Sequence, residues 1–120
     1  MENIVDHFIS FQQQFRILHW QTKSYARHKA YGEMYDSFGD LMDEFIETHM
    51  GKYGRFQIAT SAIQLTDLSD TSAKEFIDNG IEFLVGITEQ LDPSRDTDLL
   101  NIRDEMLAKM NRLKYLLTLE

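Results

Sequence analysis

The residues best suited to chemistry in this sequence are two histidines followed by a row of carboxylates. His19 precedes the only tryptophan, Trp20, and His28 lies nine residues after His19. The chain has no cysteine, so a metal ion would have to be held by nitrogen and oxygen ligands. Imidazole and carboxylate together suit iron, manganese or zinc. The candidate ligands are therefore His19, His28, Asp36, Asp43 and Glu47.

A helical projection places four of these five residues on one flank of a helix. At about 100° per residue, His28 shares its flank with the three carboxylates, beside the apolar stripe. Asp43 and Glu47 are four residues apart, which is close enough for two side chains to share a cation. Carboxylates gathered on one flank repel each other unless water, a base or a metal relieves the repulsion. A flank with several acids is also typical of an ordinary solvated helix face.

Composition and charge set the broad class of protein. The 120 residues predict one domain, 1–120, and the hydrophobic fraction of 42% is enough for a packed core. A net charge of -8 disfavours binding to nucleic acid and to anionic membranes. We find no signal peptide and no apolar run of membrane-spanning length, so we expect a soluble, cytoplasmic protein without nucleic-acid or membrane partners.

Hydrophobic periodicity predicts four helices. The first helix carries an apolar stripe with spacings of three and four residues, and the single proline, Pro93, marks a turn before the last helix. Ser24 is the expected N-cap of the second helix, and Ser72 is expected to open the third helix through a capping box with Glu75. The predicted helices span residues 3–21, 24–50, 72–91 and 94–119, and a short helix is expected near Thr60–Gln64.

The order of these elements predicts an all-α fold. Two long helices, a connector over residues 52–70 and two more helices make a four-helix bundle with one long crossover, between helices two and three. We expect the first two helices to form one antiparallel hairpin and the last two helices to form another.

The stretch LHWQTKSYARHKAYGEMYDSFGDLMDEFIE, residues 18–47, resembles the Dps family, the miniferritins of the ferritin-like superfamily. In that family the first long helix ends with Ala-His-Trp-Asn or a similar sequence. The second long helix opens with another histidine and continues with Asp and Glu ligands. The resemblance implies a ferritin-like bundle with an iron site at a dimer interface, the histidines coming from one subunit and the acids from its mate.

Two alignments with the family pattern are open. In the first, His19 and His28 take the histidine positions, Gly32 takes the first aspartate position, and Asp43 and Glu47 take the last two. In the second, Asp36 and Glu47 keep the family spacing, and Gly32 and Gly51 fall on ligand positions. We prefer the first alignment, because its gap lies in a loop and it keeps the Asp43–Glu47 pair. Asp36 is then a reserve ligand.

The resemblance implies an iron-binding protein, with zinc or manganese as other ions for the site. An active site of this kind would oxidise Fe(II), with O2 or peroxide as the acceptor, and the resemblance implies a homodimer or a higher homo-oligomer. DNA binding is not carried over, because the Lys-rich N-terminal tail of the family is missing and the chain is acidic. The alternative is a structural or interaction module that kept the bundle and lost the metal site.

Overall fold

A computed structural model describes residues 2–57 and 63–119, and within these ranges the chain contains helices and no strand. The four long helices pack against one another as an all-α bundle. The all-α prediction is therefore confirmed. The helices are α1 (Glu2–Gln21), α2 (Tyr25–Tyr53), α3 (Asp70–Gly86) and α4 (Thr97–Leu116), and the 3₁₀ helices Ile87–Gln90 and Leu117–Leu119 continue α3 and α4.

Helices α1 and α2 form the predicted antiparallel hairpin. Near the start of α1 the ring of Phe8 lies 5.3 Å from the ring of Phe45, and later in α1 the ring of Phe15 lies 6.5 Å from the ring of Phe38. Pairing of early with late positions means that the helices run in opposite directions. All members of the predicted stripe of α1 are buried: Ile4, Phe8, Phe11, Phe15 and Leu18.

The same stripe of α1 also packs against aromatic rings of α3. Phe15 lies 5.3 Å from Phe76, and Phe11 lies 5.7 Å from Phe83, both in edge-to-face geometry. Such pairs add about 0.5–1.5 kcal/mol to the energy of burying the rings. One aromatic cluster therefore joins α1, α2 and α3.

The boundaries of α2 follow the capping rules. The amide of Arg27 donates to Ser24 Oγ at 3.2 Å, which confirms Ser24 as the N-cap. The helix continues through Gly51 to Tyr53, three residues beyond the predicted end. Gly54 ends it with a φ of 85°, a conformation that glycine adopts without steric cost, while its amide bonds to the Met50 carbonyl.

The predicted N-cap of α3 is wrong by three residues. Ser69, not Ser72, is the N-cap, and Ser72 is the third helical residue, whose hydroxyl accepts from the Ser69 amide at 3.2 Å. The regular α-helix ends at Gly86, and the chain then tightens into a 3₁₀ turn rather than running to residue 91 as α-helix. The short helix expected near Thr60–Gln64 falls mainly outside the described residues, and Ile63 and Gln64 are not helical.

Helix α4 begins at Thr97 rather than at Ser94, because Asp92 holds a turn just before it. The Asp92 carboxylate accepts from the amides of Ser94 at 2.8 Å and Arg95 at 3.1 Å. A side chain that satisfies these two amides offers the backbone an alternative to the helix. In the described part of the chain, no helix has the length and apolar character needed to cross a membrane.

Candidate functional site

His19 and His28 lie against each other at the closed end of the α1–α2 hairpin. Their rings stack with centroids 3.8 Å apart and an interplanar angle of 18°. His19 Nδ1 lies 2.6 Å from the carbonyl oxygen of His28, and His28 Nδ1 lies 2.7 Å from the carbonyl oxygen of His19. The two residues thus form a reciprocal pair that links the end of α1 to the first turn of α2.

This reciprocal bonding decides which ring nitrogen carries the hydrogen. A carbonyl oxygen only accepts, so each Nδ1 must be the donor, and in a neutral ring the lone pair is then on Nε2. Histidines that bind metals commonly donate their second N–H to a carbonyl or carboxylate in this way. Both imidazoles are therefore prepared, by main-chain contacts alone, to offer Nε2 as a ligand.

A tight loop positions the histidine pair. Only residues 22–24 separate α1 from α2, and the Thr22 amide still bonds to the Leu18 carbonyl at 3.0 Å. Because Ser24 caps α2 directly after this loop, the last turn of α1 lies beside the first turn of α2.

Gly32 permits the close approach of His19 to α2. A Cβ atom at position 32 would lie 2.9 Å from His19 Nδ1 and 3.0 Å from Cε1 of the same ring. Side chains essentially never come so close, so any larger residue would require the His19 ring to shift. The preferred alignment with the Dps pattern has an aspartate at this position. An aspartate at position 32 would collide with the His19 ring where it now lies, so the two cannot occur together.

Asp36 is the candidate carboxylate that shares a cavity wall with His19. It lines a cavity of about 270 Å³ together with His19 and Trp20. Arg16 lines the same cavity: its guanidinium lies 5.2 Å from the centre of the Trp20 ring, and its Nη1 donates to the Tyr35 hydroxyl at 2.9 Å. Trp20 is 64% exposed, so it lies at the rim of the cavity beside the site.

Asp43 and Glu47 lie much further along α2. Both are exposed, and at about 1.5 Å per residue they are roughly 10 and 16 Å beyond Asp36 along the helix axis. Within residues 2–57 and 63–119, no three His, Asp or Glu side chains gather closely enough to hold a metal ion. One chain therefore pairs His19 with His28 and places Asp36 in a cavity wall with His19, while Asp43 and Glu47 lie farther along α2.

A second polar cluster, which the sequence analysis missed, joins the end of α2 to the start of α4. Asp96 is only 3% exposed and accepts from the Tyr53 hydroxyl and, at 2.8 Å, from the Asp92 amide. Lys52 Nζ lies 3.1 Å from Asp96 and 2.9 Å from Asp98. Together these bonds lower the pKa of Asp96 to about 2, and the hydrogen bond from Tyr53 has the largest effect.

His49 lies one turn before this cluster. Its ring centroid is 4.9 Å from that of Tyr53, and burial lowers its pKa. Its Nδ1 is buried without a hydrogen-bond partner in the described residues. Neutral imidazole is thus the favoured form of this side chain, and the whole cluster serves to fix the α2–α4 contact.

The Asp96 cluster predicts a specific loss of stability in acid. A carboxyl whose folded pKa is below its unfolded value stabilises the fold above the unfolded pKa, and this contribution disappears as the pH falls toward the folded pKa. The window here extends from about pH 4, where unfolded Asp titrates, down to about pH 2. We expect Asp96→Asn to lower the melting temperature at pH 7 and to flatten its decrease between pH 4 and pH 2.

Thermal melting by circular dichroism at these pH values tests this prediction. The matched control is Asp67→Asn, which changes an exposed carboxyl outside the cluster. An acid transition of Asp96→Asn as steep as that of the control would contradict the assignment.

Comparison with known proteins places the chain in a family. Residues 19–117 match the model of DUF5856, a family of unknown function. The chain belongs to that family. It is also 32% identical, over 109 residues, to an uncharacterized 14.6 kDa protein encoded in the mobD-ri intergenic region of Enterobacteria phage T4. That alignment covers 91% of this chain and 80% of the phage protein, and no solved structure matches.

The part of this DUF5856 protein that matches the family begins at the first candidate ligand. It starts at His19 and includes His28, the three candidate carboxylates and the described parts of α2, α3 and α4. The histidine pair and the acidic flank of α2 therefore lie within the family's own segment.

Proposed function

We propose that this protein binds a divalent metal ion at a site shared between two copies of the chain. His19 and His28 of one copy would supply neutral imidazoles, and the acidic flank of α2 in the other copy would supply Asp43 and Glu47, with Asp36 in reserve. The observation that carries this proposal is the pair of Nδ1–carbonyl bonds, which leaves both Nε2 atoms open. Fe(II) is the first ion to test, followed by Zn²⁺ and Mn²⁺.

The distances along α2 are the reason for invoking a second copy. From His28, Asp43 is about 22 Å and Glu47 about 28 Å away along the axis at 1.5 Å per residue. Two α2 helices packed in opposite directions about a twofold axis would bring the histidine end of each chain beside the acidic end of its partner. A shared cation would also relieve the repulsion along the acidic flank.

A ferritin-like connection of the helices belongs to the same proposal. Phe15 pairs with Phe76, and Phe8 lies 6.5 Å from Phe83, so α3 runs opposite to α1 just as α2 does. Helices α2 and α3 then share a direction, and we assign the crossover to the segment between Tyr53 and Asp70. Sixteen residues extend up to about 55 Å, and α2 is about 43 Å long, so this segment can serve as the crossover.

If the site turns over, Fe(II) is its substrate. Two Fe(II) ions would together give two electrons to O2, which takes up two protons and becomes hydrogen peroxide, or to hydrogen peroxide, which takes up two protons and becomes two water molecules. Both ions would become Fe(III), and the carboxylates would offset the added positive charge. This step is the ferroxidase reaction that the Dps-like resemblance implies.

The test is an anaerobic Fe(II) titration of metal-free protein by calorimetry, with light scattering on the same sample. We expect saturable binding at a fixed ratio per dimer. Glu47→Gln and His28→Ala should each weaken that binding by at least about tenfold, since even changes to residues that only support metal ligands cost ten- to hundredfold. The control Glu105→Gln changes an exposed glutamate of α4 and should bind as the wild type does.

The second candidate function is an interaction module without metal chemistry. Two observations favour it: the steric exclusion of a side chain at Gly32, and the lack of a three-ligand group within the described residues. A protein of this kind would show the same melting temperature with Fe(II) as with a chelator, in the wild type and in His28→Ala alike. A metal-dependent rise in melting temperature that disappears in His28→Ala favours the first proposal instead.

A further inference from the structure

A cavity of about 440 Å³ lies where the start of α2, the start of α3 and the end of α4 meet. Three basic residues line it: Arg27, Lys74 and Lys114. Among the described residues Asp70 is the acidic member of its wall, 4.0 Å from Arg27, and Asp78 pairs with Lys114, so three bases stand against two acids here. The chain as a whole has 20 acidic and 12 basic residues. Local charge of the opposite sign to the protein's net charge marks a place where an anion is favoured.

The same cavity offers an apolar surface beneath the charges. Leu117 in its wall is half-buried, so part of its side chain is accessible. Tyr115 is 62% exposed, so its ring is open to contact with a ligand. A volume of this size falls within the range of roughly 300–1,000 Å³ that is usual for small-molecule sites.

Two of the three cations are held in place by bonds to the protein. Lys114 Nζ lies 2.7 Å from Asp78 Oδ1, and Arg27 Nη1 donates to the Tyr31 hydroxyl at 3.1 Å. Lys74 is exposed and makes no hydrogen bond or ion pair within the described residues. Fixed cations lose little side-chain entropy when a ligand binds, and Lys74 can turn toward the ligand.

We propose that this cavity binds a small organic anion that has a single carboxylate, sulfonate or phosphate group on an apolar body. The head group would lie among Arg27, Lys74 and Lys114, and the apolar body would pack against Tyr115 and Leu117. The cavity is lined by none of the candidate metal ligands. The inference is therefore independent of the proposed metal site.

The probe is 8-anilinonaphthalene-1-sulfonate, an aromatic sulfonate whose fluorescence rises in apolar surroundings. The titration is carried out on the folded protein in a chelator, so that metal binding cannot contribute. We expect saturable binding of one molecule per chain, weakened by added salt because the head-group contacts are ionic. Decanoate, an aliphatic carboxylate, should displace the probe, and decyltrimethylammonium, a cation with the same tail, should not.

Variants test whether the probe binds in this cavity or on another surface of the protein. Lys74→Gln/Lys114→Gln should weaken probe binding roughly tenfold, since two partly exposed ionic contacts are lost. Tyr115→Ala should also weaken probe binding, because it removes a contact with the apolar body of the probe. The matched control Lys29→Gln/Lys109→Gln removes the same charge from lysines outside this cavity and should bind as the wild type does. Circular dichroism establishes that each variant is folded.

Three results would overturn the inference. Fluorescence that rises without saturation would indicate nonspecific adsorption of the probe. Equal binding by the Lys74/Lys114 variant and the control variant would place the probe elsewhere. Equal displacement by decanoate and by decyltrimethylammonium would show that charge does not contribute to recognition.

Discussion

Replacing Phe38 with alanine is expected to lower the free energy of unfolding by about 3–5 kcal/mol, the usual cost of removing a buried aromatic ring. Phe38 is fully buried. Its ring lies 5.9 Å from Phe8, 6.3 Å from Phe11 and 6.5 Å from Phe15, so it meets three successive turns of α1. The alanine variant leaves a cavity in the middle of the α1–α2 interface, which also holds the histidine pair in register.

Urea unfolding measured by circular dichroism gives this difference directly. Phe38→Leu keeps most of the side-chain volume and should cost less than Phe38→Ala. Val85→Ala is the control for losing apolar atoms at a position that is 49% exposed, and its cost should be within about 0.5 kcal/mol. A loss below about 1 kcal/mol in Phe38→Ala would mean that the aromatic cluster does not form the core.

The helices and their buried faces could be predicted because they depend on local periodicity. Apolar residues at spacings of three and four fall on one side of a helix regardless of what packs there. The stripe of α4 shows this, since Leu99, Met106 and Met110 are fully buried as its spacing predicts. The pairing of α1 with α2 follows equally from the short loop between them, which leaves an antiparallel hairpin as the direct arrangement.

The ends of the helices were less predictable, because several residues compete for each cap. Ser69 and Ser72 are both good N-caps by residue type, and only the path of the incoming chain decides between them. Asp92 could equally have stood within an early turn of α4 or before the helix. Its bonds to the amides of Ser94 and Arg95 hold those residues in a turn outside the helix.

The candidate site was predictable in part, for a geometric reason. Residues at the end of one helix and the start of the next must be close, so the proximity of His19 and His28 follows from the three-residue loop. A helical wheel, however, reports only angles, and it hides the rise that separates Asp43 and Glu47 from His28. The Asp96 cluster left no local signal at all, since Tyr53 and Asp96 are 43 residues apart.

Arg103 is the second residue whose replacement should have a large effect. It is 8% exposed, and its Nη1 donates to the Leu84 carbonyl at 2.9 Å and to Thr88 Oγ1 at 2.7 Å. Leu84 belongs to the last turn of α3, which has no basic residue of its own. A cation from α4 therefore lies at the negative end of the α3 dipole, on a carbonyl that also accepts from the Ile87 amide.

Arg103→Met should consequently lower the free energy of unfolding by about 1.5–3 kcal/mol, the range for hydrogen bonds to a charged group. Methionine retains the apolar stem of the side chain, so the loss reports the guanidinium.

Thr88→Val removes one of the acceptors, and the double variant should lose less than the sum of the two single variants because the residues interact. Arg112→Met, at an exposed position of α4, is the control. Strict additivity in urea unfolding would show that Arg103 and Thr88 contribute independently, and a loss no larger than that of Arg112→Met would show that α3 needs no cation from α4.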